Sequence, residues 1–359
     1  MANSIWLQKI KNVQMKKALV ISGGGSKGAF AVGVYKHLIS GYALDFDVLV
    51  GTSTGSLIVP LAALGKIDLL EKLYTTQKTE NIVIKDNIGN RLNKDAIFEV
   101  TPLWETIKKF YTDDFYDELM DSGKEIFLNT TCLQTEELVV FTNVANPIPS
   151  KYYEIRTLVN AEHFRRAVLA SACQPVFMTP VKVNKQVPGE PHPDHQFVDG
   201  GVREYAGVQM AIDYDAKEIF TILLSSSDKA AEAPLFTTLF PILEKTISIF
   251  TADVSKNDLV IPQLYNEAIT YIDAVKKKMK REGVSADDIA KYFFIRGREN
   301  PFEDKVPLKI HIIRPKKPLG GGAGGLIFDP AEMKGMLATG EMQAENYIAG
   351  LSPGDVDWA

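Results

Sequence analysis

Short unbroken apolar runs, each stopped by glycine, set the pattern of the first part of the chain. Residues 18–22 read ALVIS and end at Gly23. A run rich in β-branched residues, without polar alternation, predicts a strand buried on both faces. Residues 23–28 (GGGSKG) predict a tight loop, and residues 29–40 (AFAVGVYKHLIS) a helix that stops before Gly41. A second buried strand is predicted over residues 46–50 (FDVLV). It runs straight into GTSTGS at 51–56 and a helical stretch at 57–64. Strand, turn and helix thus follow one another twice, which argues for parallel strands with covering helices.

Further along, the pattern loosens. Residues 68–121 read as irregular helices with aromatics at Phe98, Trp104, Phe110, Tyr111, Phe115 and Tyr116, an insertion or cap between core strands. Residues 125–133 and 137–142 predict two strands forming a hairpin. Residues 160–170 predict a helix capped by Asn160 and broken at Gln174-Pro175. Residues 181–187 and 196–198 flank a loop rich in Pro and His. Residues 218–224 and 309–313 are late strands, 235–300 is helix-dominated, and the cationic stretch 276–281 reads as a solvated helix face. GGGAGG at 320–325 reads as a flexible linker into a final helix from Pro330 to Ile348. The expected fold class is α/β, a three-layer α/β/α sandwich with a mostly parallel central sheet.

Composition narrows the classes. With 45% hydrophobic and 24% charged residues, the 359-residue chain is neither disordered nor coiled-coil throughout. A net charge of −5 argues against a nucleic-acid partner. Cys132 and Cys173 cannot form a disulfide framework and lack zinc-site spacing, so buried thiols and no metal are expected. Residues 1–16 form an N-terminal extension in which apolar residues alternate with Lys9, Lys11 and Lys16. They lack the run of a secretory signal, and no stretch approaches a transmembrane helix. A cytoplasmic protein is expected, with peripheral contact at a membrane surface left open.

Three glycine-bearing motifs carry the chemistry. Gly23-Gly24-Gly25-Ser26-Lys27-Gly28 matches G-x-G-x-x-G after a strand, the dinucleotide pattern. Yet the acidic residues Asp45 and Asp47 stand at the wrong end of the next strand to meet a ribose. The P-loop pattern is not met either. What survives is a row of backbone N–H groups at a helix N-terminus, able to hold an anion. Gly51-Thr52-Ser53-Thr54-Gly55 is G-x-S-x-G between a strand and a helix, the context of a nucleophile elbow, with Ser53 as nucleophile. On adjacent parallel strands both loops reach the same sheet edge, so the Gly24 and Gly25 amides would cradle an oxyanion beside Ser53. The third motif is Asp199-Gly200-Gly201 at a strand end. A general base is harder to assign. Histidine is scarce, and His192, His195 and His311 each compete with Asp199, which can act without histidine where geometry permits.

Taken in order, these motifs resemble the patatin-like phospholipase family, whose pattern is G-G-G-x-[KR]-G, G-x-S-x-G and D-G-[GA]. The resemblance covers roughly residues 17–210, and residues 170–177 (ASACQPVF) resemble a further family stretch. It implies a Ser–Asp dyad of Ser53 and Asp199, with Gly23, Gly24, Gly25, Ser26, Lys27 and Gly28 forming the oxyanion loop. Gly51 and Gly55 would shape the elbow, and Gly200 and Gly201 the third turn. No cofactor and no metal are implied. The substrate would be a phospholipid or another acyl-ester lipid, and Lys27 would attract a phosphate head group. One catalytic domain over 17–350 is expected, with a motif-bearing core to 210 and a helix-rich remainder from 211. A Ser-His-Asp hydrolase, a dinucleotide-binding protein and a catalytically silent lipid binder of the same fold are the rival readings.

Overall fold

Each predicted apolar run becomes a strand of the central sheet. The computed structural model describes residues 15–85, 94–189, 194–228, 235–303, 305–352 and 355–356. The expected N-terminal extension and His192 therefore lie outside the described residues, apart from Met15 and Lys16. The chain opens with β1 (Lys17–Ile21), α1 (Gly28–Tyr42), β2 (Val48–Thr52), α2 (Thr54–Ala63) and α3 (Ile67–Thr76). The insertion follows as β3 (Ile84–Lys85), β4 (Phe98–Glu99), α4 (Thr101–Phe110) and α5 (Asp113–Asp121). Next come β5 (Glu125–Cys132), β6 (Leu138–Thr142), β7 (Glu154–Thr157), α6 (Ala161–Ala172), β8 (Val181–Asn184) and β9 (Asp194–Asp199). The remainder is α7 (Val208–Asp213), β10 (Glu218–Ile222), α8 (Leu239–Arg281), α9 (Ala286–Phe293), β11 (Lys309–Ile313) and α10 (Pro330–Ala349).

The central sheet runs β11-β10-β1-β2-β5-β6-β7, with β9 on β5 and β8 on β9. The contacts from β11 through to β5 are all parallel, and β5–β6 is the expected antiparallel hairpin. β1, β2 and β10 are buried at every position, the result of helices on both faces. Apolar side chains pack into two cores, one on each side of the sheet. The fold is the expected α/β/α sandwich.

The placement of β9 decides the geometry of the site. β2 pairs with β5 as far as Thr52 opposite Asn129. β9 then takes the same edge of β5 from the other direction, with Asp199 opposite Thr130. Two strands therefore meet head-on along one neighbour, and the last residue of each points its continuation at the other.

Several elements depart from the sequence reading. β7 was not expected, because EIRT has neither alternation nor an apolar run; it lies parallel to β6. The short helix α7 was also missed. The stretch 211–350 is helix-rich, yet it supplies β10 and β11, which extend the sheet beyond β1. The expected linker at 320–325 is instead a packed turn. A Cβ on Gly25 would stand 2.3 Å from the Gly325 carbonyl oxygen, and one on Gly325 would stand 2.0 Å from that of Gly24. Two glycine-rich segments touch there backbone to backbone, which no larger residue would permit. The 98–116 aromatics divide: Phe110 and Tyr111 line a cavity, while Tyr111, Phe115 and Tyr116 also pack against Phe164.

Candidate active site

Ser53 sits between the end of β2 and the first turn of α2 with φ 56° and ψ −121°. Positive φ is costly for a residue with a Cβ, on the order of 1–3 kcal/mol, and persists only where surroundings enforce it. The enforcement is visible. A Cβ on Gly55 would stand 2.1 Å from the Ile21 carbonyl oxygen, and one on Gly51 would stand 2.5 Å from Gly55. The turn is that tight because β1 and β2 press against it. The Ser53 amide donates to Ser171 Oγ at 3.0 Å, and Ser171 Oγ donates to the Asn129 carbonyl at 2.6 Å. Ser56 Oγ returns a hydrogen bond to the Ser53 carbonyl at 2.6 Å.

Asp199 arrives from the opposite direction at the end of β9. Its amide donates to the Cys173 carbonyl at 2.8 Å, and Thr131 Oγ1 donates to its carbonyl at 3.0 Å. Its carboxylate accepts from the Gly201 amide at 2.7 Å, and the nearby Ser53 side chain favours its ionised form. Burial outweighs both influences and pushes the carboxyl up to about 6. Gly200 leaves no room for a side chain, since a Cβ there would be 2.4 Å from the Asn129 carbonyl oxygen.

The first glycine loop closes the site from above β1. A Cβ on Gly23 would lie 3.0 Å from Ser53 Cβ and 3.7 Å from Ser53 Oγ. Gly25 to Lys27 make one 3-10 turn that leads into α1, so this loop stands at a helix N-terminus. Gly23, Gly24, Gly25, Lys27, Ser53, Asp199 and Gly201 all line one cavity of about 260 Å³. Its far wall is apolar, built from Leu57, Leu73, Leu103, Ile107, Phe110 and Phe328, with Ile247 and Thr251 of α8 as a roof. Ser26, Gly28, Gly51, Gly55 and Gly200 support the site from behind rather than lining it. Lys27 reaches the cavity, and burial lowers its pKa.

The described histidine candidates, His195 and His311, do not line this cavity. His311 is in mid-strand at the sheet's end, with Nε2 3.0 Å from Glu218 Oε1 and Nδ1 3.2 Å from the Tyr347 hydroxyl. His195 is buried on β9, four residues before Asp199. Asp45 pairs with Lys124, and Asp47 accepts from the Lys17 amide at 2.9 Å, both at the opposite edge of the sheet. Among the described residues, no group of three or more His, Cys, Asp or Glu side chains could hold a metal ion.

Residues 19–212, more than half of the chain, match the patatin-like phospholipase family. The chain belongs to this family. Lipid acyl hydrolysis is the general activity that this membership supports. The patatin-like chain is also 39% identical over 74 residues to the cUMP-AMP-activated phospholipase of Escherichia coli. That match covers 19% of this chain and 23% of that protein, so it spans under a quarter of the relative's length. A solved structure, VipD from Legionella pneumophila, is similar with a TM-score of 0.42 and 12% identity, over 94% of this chain and 67% of that one.

Sequence reasoning missed several residues of this patatin-like site. Tyr205 lies between the first and third motifs, with its hydroxyl donating to the Gly23 carbonyl at 2.6 Å. Tyr74 lines the cavity and shares a 2.5 Å hydrogen bond with Thr54 Oγ1. Neither carries a sequence signal, because each acts through a contact between distant segments. Ser171 had one: it stands within the ASACQPVF stretch.

Proposed function

We propose that the chain hydrolyses fatty-acyl esters of phospholipids or related lipids with Ser53 as nucleophile and Asp199 as general base. The observation that carries this reading is the meeting of a strained serine and a buried carboxylate at the polar end of an apolar cavity. Asp199 takes the hydroxyl proton as Ser53 Oγ attacks the ester carbonyl. The carbonyl oxygen gains the negative charge, which the Gly24 and Gly25 amides offset. Collapse breaks the ester C–O bond, and the protonated Asp199 returns its proton to the leaving alcohol. Water then gives a proton to Asp199 and attacks the acyl-serine, releasing the fatty acid and restoring the Ser53 hydroxyl. A carboxyl pushed up to about 6 is a stronger base than an ordinary aspartate while still ionised near neutrality. The apolar wall suits an acyl chain, and the Lys27 ammonium suits a phosphate at the polar end.

Contact with a membrane surface belongs to the same reading. α8 is 43 residues long, about 64 Å, and its inner face roofs the cavity. Its opposite face exposes Leu239, Ile242, Ile249, Phe250, Val260, Ile261, Leu264 and Tyr271. At about 100° per residue these fall on one stripe. A lipid surface would cover the stripe and bring substrate to the cavity beneath. Among the described residues, no helix is long and apolar enough to cross a membrane.

The test is hydrolysis of short-chain nitrophenyl esters and of phospholipids, with fluorophosphonate labelling. Ser53→Ala is expected to lose labelling and at least 1,000-fold of kcat, and Asp199→Ala a similar factor. His311→Ala should keep most activity. Loss of turnover in a folded His311→Ala variant, or full activity in Ser53→Ala, would overturn the assignment.

A further inference from the structure

Tyr205 follows the Asp-Gly-Gly turn by four residues and is buried. Its ring lies between two motifs: Cε2 is 3.3 Å from where a Cβ on Gly23 would be, and Cδ2 is 3.4 Å from one on Gly201. Its hydroxyl donates to the Gly23 carbonyl at 2.6 Å, and Ser22 Oγ donates to the same oxygen at 3.3 Å. That carbonyl and the Gly24 N–H belong to one peptide plane. In a trans peptide the two groups point in opposite directions. Fixing the carbonyl therefore fixes the direction of the amide. A glycine loop needs such an anchor, because glycine restricts its own backbone least. Gly24, with φ 156°, is held from its other side by contact with Leu224 and by the Gly325 backbone.

We propose that Tyr205 is a positioning residue for the proposed hydrolysis, clamping the Gly23–Gly24 peptide so that the Gly24 amide is aimed at the developing oxyanion. This rests on the Ser53 reading above. The hydroxyl acts only through the peptide plane and does not touch the reacting atoms. Its proton stays in place over the working pH range, since burial pushes the phenol up to about 12. The backbone that carries Tyr205 is itself tied down. Asp258 of α8 accepts from the Tyr205 amide at 2.6 Å and from the Ala206 amide at 3.1 Å. Asp258 thus links the cavity roof to the aim of the oxyanion loop.

The experiment compares Tyr205→Phe with the wild type on a soluble ester. The ring contacts remain and only the donor is lost. The expected result is a 10- to 100-fold fall in kcat with KM changed less than twofold. A boronic acid that forms a tetrahedral adduct on Ser53 should lose affinity by a similar factor, while a non-hydrolysable substrate amide should not. A purely structural role would not separate these two ligands. Tyr153→Phe is the control. It deletes another buried phenol hydroxyl, bonded to Asp213 at 2.9 Å away from the cavity, and should leave kcat unchanged. Asp258→Ala is the second variant, should Tyr205→Phe not fold; it keeps the phenol but frees its backbone, and should show the same pattern to a smaller degree. Unchanged kcat in Tyr205→Phe, or equal loss for both ligands, would overturn the clamp. Failure of the Ser53 reading is seen separately, as wild-type activity in Ser53→Ala.

Discussion

A carboxyl buried beside a strained serine carries a cost as well as a function. Asp199 titrates near 6 in the fold and near 3.8 when unfolded. Its folded value is the higher one, so the native state binds the proton more tightly. Stability from this group is fully present below about pH 3.8 and is lost as pH rises through about 6. In the proposed mechanism activity has the opposite sign, because only the ionised form would accept the Ser53 proton. The pH profile of kcat/KM on a neutral ester should therefore fall tenfold per unit below about pH 6. Asp199→Asn should be inactive yet melt about 2–6 °C higher than the wild type at pH 8, with the gap closing near pH 4. Thermal unfolding at both pH values checks this, and a lower melting temperature at pH 8 would contradict it.

At the scale of elements, the site depends on close backbone crossings. α10 lies across α1 at two glycines. A Cβ on Gly33 would be 2.0 Å from the Leu337 carbonyl oxygen, and one on Gly340 would be 2.1 Å from that of Phe30. Backbone cannot yield as a flexible side chain does, so Gly340→Ala should destabilise by about 1–3 kcal/mol or more in urea unfolding. These glycines gave no sequence signal, because a glycine inside a helix has the same local pattern whether or not another helix crosses it. The motif loops were legible for the opposite reason. Gly23–Gly28 and Gly51–Gly55 each follow an apolar run, so local pattern alone placed them on strand ends. β9 was readable as a strand beside Asp199, but its head-on approach to β2 was not, since register along β5 is a long-range property. The GGGAGG stretch misled for a related cause: composition that suits a loose linker also suits the tightest backbone packing, and only the partner distinguishes them.

At the scale of the molecule, the two faces of α8 divide the labour of the proposed hydrolase. The inner face bounds the cavity, and the outer face presents its apolar stripe. Phe250→Asp together with Leu264→Asp should reduce binding to anionic phospholipid vesicles at least fivefold in a flotation assay. Turnover of a soluble ester should stay within twofold, since neither side chain lines the cavity. Equal vesicle binding by the double variant would remove α8 as the docking face.

The contact between Gly325 and the Gly24–Gly25 backbone has a consequence for the order of synthesis. Ser53 and the first glycine loop leave the ribosome well before residues 320–325, which form the turn that backs that loop. Until then the loop lacks one of its walls. A nascent chain thus holds the proposed nucleophile for some time before the proposed oxyanion loop is fully backed. On the proposed reading, acyl chemistry waits until the second glycine-rich segment has been made and has packed against the first.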